Sequence, residues 1–136
     1  MSDGDITIES GEITASALNS GIQSGNENEI TLNGGKVTAK GNTGIVGYDG
    51  VTIAGADVNA EGKNYAIFTA DKDITISAGT VNATATGADT WQKALNGTVK
   101  NSIYGTGWTD SAGTEGKTAI ATSTTGQDLS DYKKVI

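Results

Sequence analysis

Four segments of this chain repeat one another with starts at residues 6, 30, 51 and 74, and that repeat restricts the fold more than any other feature. The first carries Ile6-Thr7-Ile8 and then Ile13-Thr14-Ala15. The second carries Ile30-Thr31-Leu32 and Val37-Thr38-Ala39, the third Val51-Thr52-Ile53 and Val58-Asn59-Ala60, and the fourth Ile74-Thr75-Ile76 and Val81-Asn82-Ala83. The step from the second apolar residue to the next β-branched one is always five positions (8 to 13, 32 to 37, 53 to 58, 76 to 81), and the residue two further on is Ala each time. A third motif closes each repeat: Gly21-Ile22, Gly44-Ile45, Ala66-Ile67 and Ala94-Leu95.

Each repeat therefore predicts three short strands joined by turns. Alternation within a strand has period two, so the apolar residues point one way and Thr or Asn the other. One repeat cannot bury its apolar side alone, but stacked repeats can, with Ile6, Ile30, Val51 and Ile74 forming one interior column. The expected fold is all-β: a single-stranded parallel β-helix, a solenoid of about four three-strand coils, right-handed by the general preference of parallel crossovers. A twisted β-sandwich also accommodates short strands and turns, but nothing in it demands a fixed five-residue offset. The constant Ala is expected where the interior narrows. Asn19, Asn42, Asn64 and Gln92 each lie three residues before the third-strand apolar residue, in position for a ladder of stacked amides.

The coils are expected over residues 1–97. In the fourth, Ala83 to Leu95 spans 12 positions against 7 from Ala60 to Ile67, so a loop should bulge out around 84–91. The repeat fades after Gly97. Residues 98–136 are expected to cap the C-terminal end within the same domain, with late strands at 117–121 and 133–136 and Trp108 as apolar plug.

Composition narrows the chemistry. The net charge is −7, which disfavours nucleic acid and anionic lipid as partners and favours cations. His, Cys and Arg are all absent, which removes disulfides, the usual Cys/His zinc sites and the common nucleophile triads. The lyases and hydrolases built on parallel β-helices need a strong base beside metal ligands, or carboxylates about 5–10 Å apart on one face. No such cluster is evident, and a non-catalytic protein is expected. No run of about 18 apolar residues offers a membrane span, and no signal peptide is evident. The sequence Met1-Ser2-Asp3-Gly4-Asp5 leads straight into a strand pattern and reads as a cut inside a longer protein, with Met1 added.

Two surface features are candidate sites. Carboxylates gather at one turn column, with Asp5, Glu29 and Asp73 in line, Asp49 one place out of register, and Asp3, Glu27 and Asp71 beside them. Like charges on coils about 4.8 Å apart repel by roughly 1 kcal/mol in water. Ca2+ held by Asp5, Glu29, Asp71 and Asp73 would relieve this; a solvated acidic edge that blocks lateral association is the other reading. The second feature is aromatic. Phe68 follows inward Ile67 and should face out, with Tyr48, Tyr65 and Trp91 around it. These four rings suit stacking on a sugar, with Asn64, Gln92 and Lys93 as polar neighbours; alternatively Trp91 folds down as cover for Phe68 and Val46. The Thr7, Thr31, Thr52 and Thr75 rank is too closely flanked by carboxylates to suit ice binding.

The repeat, written DITIESGEITA followed by GI, resembles β-helical segments of large cell-surface proteins of Gram-positive gut bacteria, related to the clostridial β-helix family described as carbohydrate-binding. The stretch YGTGWTDSAGTEGKTAIATSTTGQDLSDYKKVI looks like the end of such segments. The resemblance implies an extracellular, wall-linked module that binds glycan or adheres, carrying polysaccharide or host-surface glycan as partner and flanked by other domains of its parent. It supplies no catalytic residues and points only loosely to calcium. A purely structural stalk or spacer within such a parent is the alternative.

Overall fold

The computed structural model describes residues 3–136; Met1, expected to be an added residue, lies outside them. Among the described residues the chain forms thirteen strands in one hydrogen-bonded sheet and no helix. Three parallel columns stack coil on coil. In the first, β1 (Ile6–Ile8), β4 (Ile30–Leu32), the start of β6 (Val51–Phe68), the start of β7 (Ile74–Ala85) and β9 (Thr98–Asn101) pair so that Ile6, Ile30, Val51, Ile74 and Val99 are in line. The second column joins β2 (Glu12–Ser16), the start of β5 (Lys36–Val46) and the middles of β6 and β7, aligning Ile13, Val37, Val58 and Val81. The third joins β3 (Ser20–Gln23), the ends of β5 and β6, and β8 (Lys93–Asn96), aligning Ile22, Ile45, Ile67 and Leu95. The protein is a β-solenoid of about four coils.

The core is the inside of this stack. Ile30, Leu32, Val37, Ala39 and Ile45 of the second coil, and Val51, Ile53, Val58, Ala60 and Ile67 of the third, are wholly shielded from solvent. The turn into the second strand is set by a glycine in three coils, while the third keeps the same five-residue offset with Ala56 there. The residue before the second strand is Gly11, Gly35 and Gly79 in three coils, with φ of +92°, +80° and +96°, a region that L side chains rarely adopt. Stacking is also tight there: a Cβ on Gly35 would lie 2.4 Å from the Gly11 carbonyl oxygen. The amide ladder forms at one step only, where Gln92 Nε2 donates to Asn64 Oδ1 at 3.1 Å.

The first column extends one rung past the four repeats, into β9. There the interior position that holds Ile8, Leu32, Ile53 and Ile76 in earlier coils holds Asn101. Its buried amide donates to the Ile103 and Ala121 carbonyls (2.8 and 3.0 Å) and accepts from Gln127 Nε2 at 2.6 Å. A polar side chain thus ends the apolar column and ties down the segment that follows. That segment closes the stack with antiparallel strands. β12 (Ser123–Asp128) pairs with β9, β13 (Lys134–Val135) pairs with β7, and β10 (Gly105–Trp108) joins β13 to β11 (Thr118–Ile120). The Tyr132 carbonyl accepts from the Ala94 N–H above the third column. The plug is Ile120, Leu129 and Val135, with Ile103 and Tyr132 against them. The expectation that Trp108 plugs the end is corrected: Gly107 is the buried position of β10, under the Tyr132 ring, so Trp108 takes the alternate face and stays half-exposed.

Candidate functional site

The aromatic residues sit where the third column turns back toward the first. Tyr48 lies in the four-residue turn after β5, closed by the Gly50 N–H donating to the Gly47 carbonyl at 3.0 Å. Its own carbonyl accepts from the Ala70 and Asp71 N–H groups, which locks this turn onto the next coil. Tyr65 and Phe68 lie near the end of β6, and Trp91 on the loop before β8. The structure brings all four together. Ring centroids are 6.4 Å apart for Tyr48 and Phe68, 5.4 Å for Phe68 and Tyr65, and 6.0 Å for Tyr65 and Trp91, in edge or tilted contact. Four of the chain's seven aromatic residues thus form one ribbon across adjacent coils. Trp91 is 51% exposed and meets Tyr65 by its edge, so it flanks the ribbon instead of covering Phe68. Val46 is nonetheless buried.

The loop that carries Trp91 is held at three points. Gln92 Oε1 accepts from the Asp89 N–H (2.8 Å) while its amide nitrogen reaches Asn64. The Gly87 N–H donates to the Lys63 carbonyl (2.9 Å). Lys133 Nζ, from the cap, donates to the Gly87 carbonyl at 2.6 Å. Gln92 is buried and engaged inward, so it is a support for the loop and not a contact for a ligand. Lys133 lies 46 residues from Gly87, and no spacing in the sequence signals that link. Lys93, half-buried, pairs in register with Tyr65.

The acidic column has its break at the third coil, where Asp49 falls one place out of register. In register, its members are Asp5, Glu29, Gly50, Asp73 and Thr98. Gly50 interrupts the line, which sets Glu29 and Asp73 two coils, about 10 Å, apart along the axis. Asp5 Oδ1 accepts from the Glu29 N–H at 2.9 Å, Asp73 faces Lys100 Nζ at 2.7 Å, and Asp49 faces Lys72 Nζ at 3.1 Å. Asp71 is exposed. Asp5, Glu29, Asp71 and Asp73 are therefore not drawn into one cluster, and among the described residues no three carboxylates converge on a point that could hold a metal ion.

Fold and site together define a β-solenoid module with one aromatic face. No protein-family model, no curated protein and no solved structure matches the chain.

Proposed function

We propose that this protein is a non-catalytic extracellular surface module that binds glycan along the Tyr48–Phe68–Tyr65–Trp91 ribbon. The observation that carries the reading is the contiguity of the four rings, with Trp91 half-exposed on a braced loop. Aromatic faces offer large, rigid apolar area to the C–H faces of sugar rings, while neighbouring polar groups orient hydroxyls. The rings step along the direction in which coils stack, so an extended polysaccharide lies across coils. The sequence resemblance to clostridial β-helical surface proteins supports the location, and acidic, lysine-balanced side faces suit a module exposed to solvent.

The second reading is a structural spacer, favoured by the Thr7, Thr31, Thr52 and Thr75 rank, which repeats one residue type in register along four coils. An array of plant, host and microbial polysaccharides separates the two. Binding to at least one polysaccharide, weakened by Trp91→Ala and Phe68→Ala in folded protein, is the expected result. Absence of binding across the array leaves the spacer.

A further inference from the structure

Ten asparagines occur in the chain, and two of them, Asn33 and Asn96, are followed by glycine. That dipeptide has a chemistry of its own. The side-chain amide carbon of Asn is an electrophile within reach of the next main-chain nitrogen, and a glycine there brings no Cβ to block the approach. The two pairs lie in different surroundings. Asn33-Gly34 stands in the turn between β4 and β5, and Asn33 is exposed. Among the described residues its side chain makes a single hydrogen bond, from Nδ2 to Glu9 Oε1 of the neighbouring coil at 3.0 Å, and Glu9 is itself exposed. The Gly34 N–H meets no acceptor among them.

Asn96, at the end of β8, is held more firmly. It is half-buried, its amide donates to the Thr69 carbonyl at 3.4 Å, and its own carbonyl accepts from the Thr69 N–H and hydroxyl at 3.0 and 3.3 Å. The Gly97 N–H also lacks an acceptor among the described residues, so the two sites differ in how the asparagine is fixed. Bringing the Asn96 side chain onto Gly97 requires a local opening that breaks the Thr69 bonds. Bringing Asn33 onto Gly34 gives up one exposed bond.

We propose that Asn33-Gly34 is a self-modifying turn, in which Asn33 converts to aspartate or isoaspartate and the seam between the first and second coils loses its Asn33–Glu9 bond. Hydroxide takes the proton of the Gly34 N–H. The nitrogen bonds to Asn33 Cγ, and the side-chain nitrogen leaves as ammonia, closing a cyclic imide. Water then adds to one of the two imide carbonyls. Opening on one side gives aspartate; opening on the other gives isoaspartate, whose main chain runs through Cβ and Cγ and is one methylene longer. One water enters and one ammonia leaves, with no oxidant or reductant. The stack reads both products. Aspartate sets a carboxylate, with no proton to donate, against the carboxylate of Glu9. Isoaspartate lengthens the chain where coils lie closest: a Cβ on Gly34 would already stand 2.5 Å from the Glu9 carbonyl oxygen.

The whole chain, folded, is held in mildly alkaline buffer and sampled over weeks, with the same chain in denaturant as reference. Each digest is searched for Asn-Gly peptides heavier by about 1 Da, and electron-transfer fragmentation separates isoaspartate from aspartate. In denaturant the two sites should convert at similar rates. In the folded chain Asn33 should stay within about threefold of its denatured rate while Asn96 slows at least about tenfold. Equal rates at the two sites in folded protein, or Asn33 slowed as much as Asn96, overturn the proposal. The seam is tested separately. Asn33→Asp should lower the melting temperature by about 1–4 °C at neutral pH, and Glu9→Gln in the same chain should restore it, because a glutamine amide can donate to the new carboxylate. Asn33→Asp protein that melts like the parent, or a loss that Glu9→Gln leaves in place, overturns the coupling of this turn to the seam.

Discussion

Thr52 and Ile53 are neighbours in one strand, yet Ile53 is wholly shielded within the coil and Thr52 is half-exposed outside it. Ile53→Asp places an unpaired charge in the stack, a loss of roughly 4 kcal/mol or more, which is a large share of a small domain's stability. Thr52→Asp should cost under about 1 kcal/mol. Thermal melts of the two variants check this, and similar losses would reverse the inward and outward assignment. Asp110 makes a different kind of prediction. Its carboxylate accepts from the Thr114 hydroxyl (2.5 Å) and from the Glu115 and Thr114 N–H groups (2.9 and 2.8 Å). These bonds, the Thr114 hydroxyl first, lower its pKa from 3.8 to about 2. Because the folded value lies below the unfolded one, what these bonds contribute is fully present above the unfolded pKa and is lost as pH falls from 3.8 toward 2. An NMR titration should place the Asp110 midpoint near 2, with the Thr114 and Glu115 amides protected from exchange until that pH. A midpoint at the ordinary value would mean the turn is open in solution.

At the scale of the element, the turns decide more than the strands. Gly35→Ala meets two costs at once, a positive φ and a backbone oxygen 2.4 Å from the new Cβ. The expected loss is about 1–3 kcal/mol, measured by denaturant midpoint. Gly4→Ala, with open space around its Cβ, is the control. The loop of Trp91 gives the next test. Lys133→Ala removes the cap's hold on the Gly87 carbonyl. Amide exchange in 86–92 should rise and any glycan affinity fall, with little change in melting temperature. Exchange rates identical to the parent's would show that Gln92 and Lys63 suffice. These elements also mark what the sequence could convey. Strand faces and coil register were legible because a period of two and a fixed five-residue step are local properties. The aromatic cluster was legible for the same reason: Phe68 and Val46 share a register position, and the loop length placed Trp91 near them. The break in the acidic line was legible too, since Asp49 stands one place out of register; the lysines that face Asp49 and Asp73 were not, because Lys72 and Lys100 belong to no repeated motif. Lys133 was illegible because its bond spans a long chain separation fixed only by the cap's fold.

For the whole molecule, the interior is one continuous apolar column that must stop somewhere. Asn101 stops it, since the same register position is Ile or Leu in every earlier coil. Beyond it the cap reverses strand direction, so a further coil cannot add in parallel. Between cap and coil lies a small pocket lined by Ile76, Val81, Leu95 and Val99 below and Ile120, Leu129 and Val135 above. Those four lower residues are the ones a missing cap would expose, together with the unpaired edges of β7, β8 and β9. Native sheets guard such edges because they template association. Truncation after residue 103 should therefore leave coils that retain strand signal in circular dichroism but melt at lower temperature and self-associate through the opened end. Sedimentation velocity at rising concentration reads this directly, with the full chain as reference. Asn101→Leu in the full chain separates plug from anchor: it removes the bonds to Ile103, Ala121 and Gln127 and leaves Gln127 Nε2 only its bond to the Ala121 carbonyl. The cap should then loosen by about 1–3 kcal/mol despite the gain in apolar character. A truncated chain that stays monomeric and as stable as the parent would show that the coils need no closing and that the cap serves some other part of the molecule.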